Sequence, residues 1–308
     1  MNKKIFITGA TGLIGTSLVN YLCEKGAYVK ILCGNIKQAK KSFDKNYTLE
    51  YFDKSKYHDS GFVAGLINET DVVINLAGAN VGAKRWNTDY KELIYNSRIE
   101  TTKLIVESIK ICKTKPECLI NMSGAGIYGF RDDEKLDEES AYGNDFLAKV
   151  CIDWESEARK VTFYGVREVS VRSGIVLTKK GGALEKLMLP YNYFMGAYQG
   201  SGRQWMPWIH IEDLIRLFVF MIENKSVSGP VNATSPEPVT NLEFAKTLAE
   251  IKKSKIMLPV PGLLLKIIAG EFAENLLTGQ RVYPVKAITS GYEFMYPDLK
   301  SALLNLIT

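Results

Sequence analysis

The stretch Ile5-Phe6-Ile7-Thr8-Gly9-Ala10-Thr11-Gly12-Leu13-Ile14-Gly15 decides the fold. A short apolar, β-prone run meets three glycines at i, i+3 and i+6. A helical pattern then runs from Leu13 to Lys25 and stops at Gly26, a good helix C-cap. Gly9 permits a tight turn, Gly12 lets a pyrophosphate approach the backbone, and Gly15 lets the helix pack closely on the strand. The first turn of that helix offers unpaired N–H groups and the positive end of a helix dipole to an anion. A glycine triplet alone is weak evidence; set between a strand and a helix near the N-terminus, it marks a dinucleotide-binding turn.

Outward from this turn, apolar runs alternate with helical segments, the pattern of a parallel sheet covered on both faces. Strands are expected at Ile5–Thr8, Tyr28–Cys33, Thr48–Phe52, Asp71–Leu76, Cys118–Ser123 and Val166–Arg172. A long helix is expected from Trp86 to Cys112, and another from Phe146 to Val161. After Gly174 the chain turns to loops rich in Gly, Pro, Trp and Met, then to a helix near Ile211, a strand near Val231 and further helices. The expected fold is α/β: a Rossmann doubly wound parallel sheet over residues 1–176, with a return segment near 207–233. A smaller α+β substrate-side domain over 177–308 completes it.

The composition bounds the rest. The chain has 308 residues, 46% hydrophobic and 24% charged, as expected of a globular protein that needs no disulfide or metal staple. Lys and Arg exceed Asp and Glu by 39 to 34, an excess too small to argue for nucleic acid. The five cysteines, Cys23, Cys33, Cys112, Cys118 and Cys151, contain no C-x-x-C pair and point to a reducing, cytoplasmic setting. His58 and His210 stand far apart in sequence, which argues against a His-based metal site. No apolar stretch reaches the ~20 residues of a membrane span. The expected partner is a small molecule, with no nucleic acid and no membrane, and the oligomeric state is not legible.

An acid at the end of the second strand would bind the ribose hydroxyls of NAD, and an Arg would favour NADP. This chain has Cys33-Gly34-Asn35 there. Lys37, Lys40 and Lys41 follow on the next helix, either within reach of a 2′-phosphate or as a solvated face. With no carboxylate to repel that phosphate, NADP is preferred, and Asn35 joins the expected cofactor contacts.

Several further motifs stand along the chain: Asn75-Leu76-Ala77-Gly78, Lys84-Arg85-Trp86, Asn96-Ser97-Arg98, Ser123-Gly124-Ala125-Gly126-Ile127-Tyr128-Gly129 and Val171-Arg172-Ser173-Gly174. Later come Gly200-Ser201-Gly202-Arg203-Gln204, Trp208-Ile209-His210-Ile211-Glu212-Asp213, Gln280-Arg281-Val282, and Gly291-Tyr292 through Tyr296-Pro297-Asp298-Leu299. With the glycine turn, these resemble the atypical and extended short-chain dehydrogenase/reductases of the NAD-dependent epimerase/dehydratase type, in particular their "epimerase family protein" subgroup. The resemblance spans essentially the whole chain. It implies cofactor contacts from Gly9, Ala10, Thr11, Gly12, Leu13, Ile14 and Gly15. It adds Leu76, Ala77 and Gly78 after the fourth strand, Met122 and Ser123 at the end of the fifth, and Ser173 and Gly174 beside the nicotinamide. The subgroup usually carries Arg after strand two, where this chain has Gly34.

The resemblance also implies a catalytic Ser, Tyr and Lys, the Tyr acting as acid/base and the Lys lowering its pKa and holding the ribose. Lys149 occupies the Lys position, as a ribose or nicotinamide contact. Four residues earlier stands Asp145 in place of Tyr, either a general base or an ion-paired surface acid. The Ser position falls on Ser123 or on Gly124. Tyr128 is the local substitute for the phenol, since its loop leaves the C-terminal end of a strand; the alternative is a Tyr packed under that loop. On the substrate side Arg85, Trp86, Arg203 and Trp205 combine cations and aromatic planes suited to an anionic or sugar-like ligand. His210 and Asp213 are read as structural groups at a helix start. The resulting expectation is an NADP(H)-dependent oxidoreductase or epimerase-like enzyme for a small polar or sugar-nucleotide-like substrate. The rival is a catalytically silent cofactor-binding redox sensor, and a weaker third is a structural protein with a vestigial turn.

Overall fold

The computed structural model describes residues 1–53, 55 and 58–307. Seven strands form one sheet: β1 (Lys4–Thr8), β2 (Tyr28–Cys33), β3 (Leu49–Asp53), β4 (Val72–Asn75), β5 (Cys118–Gly124), β6 (Arg167–Ser173) and β7 (Gly229–Ala233). Across the sheet they run β3-β2-β1-β4-β5-β6-β7, every neighbouring pair parallel. The chain starts in the middle, winds to one edge, crosses back past β1 and winds to the other. The carboxyl ends of β1 and β4 flank the point where the winding reverses, where doubly wound sheets bind ligands.

Side-chain alternation along the strands feeds two apolar layers. On one face Ile5 and Ile7 pack with Leu18 and Leu22 of α1 (Leu13–Glu24), and with Leu214 and Phe218 of a helix at Ile211–Glu223. On the other face Phe6, Val73 and Leu119 meet helix residues Val63, Ile67, Ile105 and Ile109. The helices there are α3 (Ser60–Ile67), α4 (Thr88–Ile111) and α5 (Phe146–Arg159), of which α3 and α4 supply these four side chains, whereas α2 (Ile36–Ser42) packs through Ala39 on the first face. Because both faces are covered, β4 is buried along its whole length, as its unbroken apolar run requires.

The residues beyond β6 both return to this sheet and leave it. The Ile211–Glu223 helix and β7 extend the sheet layer, while Leu177, Leu184, Trp208, Phe244, Leu248 and Leu303 build a separate small core. β7 is an edge strand, and its outer side is closed. Residue 230 is proline, and Asn232 donates its N–H to Glu138 Oε1 at 2.9 Å. All five cysteines are free thiols, four of them buried. Among the described residues no helix is long and apolar enough to cross a membrane.

Candidate functional site

The turn between β1 and α1 is held by backbone contacts that only glycine tolerates. Gly9 has φ +70°, and a Cβ there would stand 2.6 Å from the carbonyl carbon and oxygen of Leu76. A Cβ on Gly15 would stand 2.3 Å from Gly9 O. Gly12 N donates to Gly9 O at 3.0 Å, and Gly12 itself is the N-cap of α1, with no side chain capping the helix. By contrast, α4 starts at Asn87, whose side chain accepts from Tyr90 N, and α5 starts at Asp145, which accepts from Ala148 N at 2.9 Å. The first turn of α1 also carries no acid. Its leading amides therefore face outward without a side-chain acceptor, at the reversal point of the sheet, which is the arrangement a pyrophosphate fits.

A buried polar chain fixes the floor of this crevice. Thr8 Oγ1 donates to Asn75 Oδ1 at 2.6 Å, and Ala77 N donates to the same oxygen at 3.2 Å. Asn75 Nδ2 donates to Thr102 Oγ1 and to Asn121 Oδ1, and Trp154 Nε1 donates to Thr102 Oγ1. Every one of these polar atoms finds a partner, as burial demands. The carboxyl ends of β1, β4 and β5 are thereby locked to α4 and α5.

Around this floor lie most of the expected cofactor residues. Leu76 and Ala77 are half-buried against Gly9, and Gly78 is exposed. Met122 is buried in the core. Ser173 ends β6 and Gly174 follows it; a Cβ on Gly174 would stand 2.5 Å from Pro207 O, so the segment from 205 to 208 presses on the sheet there. Asn35 caps α2, its Oδ1 accepting from Gln38 N at 3.0 Å. Lys37, Lys40 and Lys41 are exposed, and Lys40 Nζ lies over the Tyr51 ring.

Of the expected catalytic residues, Ser123 and Tyr128 join one buried network through Glu155 and Arg172, and Lys149 stands outside it at the surface. Ser123 donates to Glu155 Oε1 at 2.7 Å and is buried. Tyr128, offered above as the substitute phenol, is fully buried; it donates to Asn232 Oδ1 at 2.7 Å and accepts from Arg172 Nη1 at 2.9 Å. Burial pushes its pKa up to about 12, against the pull of Arg172. With its hydroxyl doubly engaged and no access to solvent, Tyr128 fits the alternative of a Tyr packed under its loop, since the short 3-10 turn Ala125–Tyr128 folds the ring inward beneath β7. Lys149 is exposed and pairs with Asp153 at 2.9 Å, one helical turn on; that hydrogen bond raises its pKa. Tyr95 of α4 donates to the same Asp153 oxygen at 2.8 Å. Asp145 serves as the helix cap already described.

On the substrate side, Arg85 and Arg203 are exposed. Trp205 is half-buried, with Nε1 donating to Asp133 Oδ1 at 2.7 Å and the Arg281 guanidinium stacked on it at 4.3 Å. Trp86 is buried. It packs against Phe146 and Phe272 with ring centroids 5.2 Å away in each case, and Nε1 donates to Val81 O. Phe272, far along the chain, covers it. His210 caps the Ile211–Glu223 helix, accepting from Glu212 N, and Asp213 accepts from Met295 N and Tyr296 N.

Two charged groups went unremarked in the sequence. Arg172 is fully buried and meets Glu155 through two 2.8 Å bonds, from Nε and Nη2. Arg98 lies beside Gly78 with its guanidinium over Trp154, and burial draws its pKa down. The available signal was a place in the Val171-Arg172-Ser173-Gly174 motif for the first, and in the Asn96-Ser97-Arg98 motif for the second.

Comparison with known proteins agrees with the crevice. The model of the NAD dependent epimerase/dehydratase family matches residues 5–233, and a domain of unknown function, DUF1731, matches residues 260–306. The epimerase family protein YfhF of Bacillus subtilis is 38% identical over 306 residues, covering 99% of this chain and 98% of YfhF. The crystal structure of human epimerase family protein SDR39U1, solved with NADPH, superposes with a TM-score of 0.86 at 30% identity, over 98% of both chains. A nucleoside-diphosphate sugar epimerase from Corynebacterium glutamicum gives 0.78 at 29% identity, over all of this chain and 58% of its own. The chain belongs to the NAD dependent epimerase/dehydratase family, as an α/β protein with a Rossmann sheet.

Proposed function

We propose that this chain binds NADP(H) along Gly9–Gly15 and Leu76–Gly78 and acts as an oxidoreductase or epimerase-like enzyme on a small polar or sugar-nucleotide-like substrate in the cytoplasm. The observation that carries the reading is the uncapped start of α1, closed around Gly9 and Gly15 by contacts too short for any Cβ. NADPH in the human relative's structure and the lack of a carboxylate at Gly34-Asn35 support NADP over NAD. A bound nicotinamide supplies hydride transfer. This chain's part is to hold the pyrophosphate on the α1 amides, border the ring with Ser173 and Gly174, set Lys149 against the ribose or nicotinamide, and present Arg203 and Trp205 toward substrate. Titration of the purified protein with NADPH and NADH, followed by Trp-to-nicotinamide energy transfer, tests the reading. Tighter binding of NADPH is expected, and absence of binding by either nucleotide at millimolar concentration overturns it.

One observation favours a second reading, a redox sensor without turnover. Asp145 caps a helix where the family resemblance implies a phenol, and Tyr128 is sealed in the core. Under that reading the cofactor binds equally well, and its redox state alters a surface without consumption of any substrate.

A further inference from the structure

Arg98 is a half-buried cation. Its Nη1 donates to Ile94 O at 2.9 Å, and its guanidinium stacks 5.0 Å from the Trp154 ring centre. Among the described residues no carboxylate pairs with it. Taking a charge out of water without a partner is expensive, so a guanidinium held this way implies an anion it has yet to meet.

The contacts around it say where that anion lies. A Cβ on Gly78 would stand 3.0 Å from Arg98 Cζ and 3.2 Å from both terminal nitrogens. Glycine at 78 is therefore what lets the guanidinium rise against the loop after β4. That same loop touches the glycine turn, because Leu76 and Ala77 are the atoms a Cβ on Gly9 would strike. The loop backbone is pinned from below by Asn75 and from the side by Ser97, whose Oγ accepts from Ala79 N at 3.0 Å. The turn itself contributes amides and no cationic side chain. We infer that Arg98 is the cationic ligand of the dinucleotide's pyrophosphate, reached across Gly78. This rests on the cofactor reading above and deepens it: the amides orient the diphosphate, and the planar guanidinium neutralises it with a fork that lysine does not reproduce.

The experiment compares NADPH with adenosine 2′-monophosphate, which has no 5′-phosphate, on the wild-type protein and on Arg98→Gln and Arg98→Lys. For Arg98→Gln, the Kd for NADPH should rise about tenfold or more, while the monophosphate Kd should stay within about twofold. Arg98→Lys keeps the charge and should fall between the two, which also covers a glutamine variant that does not fold. Unchanged NADPH affinity in either folded variant overturns the assignment. So does an equal weakening of both ligands, or failure of both variants to fold, since each makes the residue purely structural. Failure of the wild-type protein to bind NADPH sinks the cofactor reading instead.

Discussion

Replacing Tyr128 with phenylalanine separates a structural phenol from a catalytic one. The change deletes one oxygen and leaves the ring, so it opens almost no cavity. The lost oxygen donates to Asn232 Oδ1 and accepts from Arg172 Nη1, and both partners are completely buried. Arg172 keeps its two bonds to Glu155, and Asn232 Nδ2 keeps Tyr283 O, but Asn232 Oδ1 is left with no donor. A hydrogen bond to a charged group contributes roughly 1.5–3 kcal/mol, and a stranded buried acceptor costs about 1–3 kcal/mol; with overlap between them the loss should be near 3 kcal/mol. At a urea slope of about 3 kcal/mol/M for a chain of this size, the unfolding midpoint should fall by about 1 M. Equilibrium unfolding followed by far-UV circular dichroism reads this directly, and NADPH affinity measured beside it should not change. A midpoint unchanged within about 0.2 M, with NADPH binding or turnover lost, would return Tyr128 to the reacting site and refute the burial argument.

Gly15→Ala should be the most damaging single methyl in the glycine turn, because its Cβ meets Gly9 O at 2.3 Å and Ala10 backbone carbon at 2.7 Å. Separation of α1 from β1 should lower NADPH affinity about tenfold or more, with a loss of stability of ~3 kcal/mol, and wild-type values in both assays would contradict the close-approach account. Glu168 is buried, and burial lifts its carboxyl from the ordinary 4.5 to about 7, with Ser170 its hydrogen-bond donor. The folded chain thus holds a proton that the unfolded chain releases first, so stability should decline by roughly 3 kcal/mol as pH rises from 4.5 through 7 and level off above. Glu168→Gln should flatten that part of the stability–pH curve and stabilise the protein at pH 8; an identical curve would show that other groups govern it.

The sheet was legible because its central strands β1, β4 and β5 are local apolar runs bounded by turn residues. The strand expected at Cys118–Ser123 is found at Cys118–Gly124, and the glycine turn lies where its spacing put it. What the sequence hid depends on distant partners. Tyr128 follows a strand in a glycine-rich segment that reads as an open loop; it is buried because Asn232, 104 positions later, meets its hydroxyl. Trp86 reads as a ligand-facing plane, and Phe272 closes over it. Arg172 sits in Val-Ser-Val-Arg-Ser, where a cation suggests a strand end at the surface, yet Glu155 of α5 draws it into the interior. The cofactor crevice is built from neighbours in the chain and could be read; the acid–base groups are set by pairs that no local pattern encodes.

Parallel sheets end in a row of amides ready to recruit another chain, and exposed rims of this kind seed self-association. At the β7 rim the two outward amide positions are both silenced, one by Pro230 and the other by the Glu138 carboxylate. Glu138 also accepts the Lys286 amide at 3.2 Å, so a single carboxylate caps the rim and moors the C-terminal segment to it. Contact between molecules through strand addition is barred on that flank. Any assembly this protein forms there must be built from helices and side chains, and losing Glu138 would unlock the rim and free the Lys286 amide, while Asn232 and Asp213 still hold the C-terminal segment.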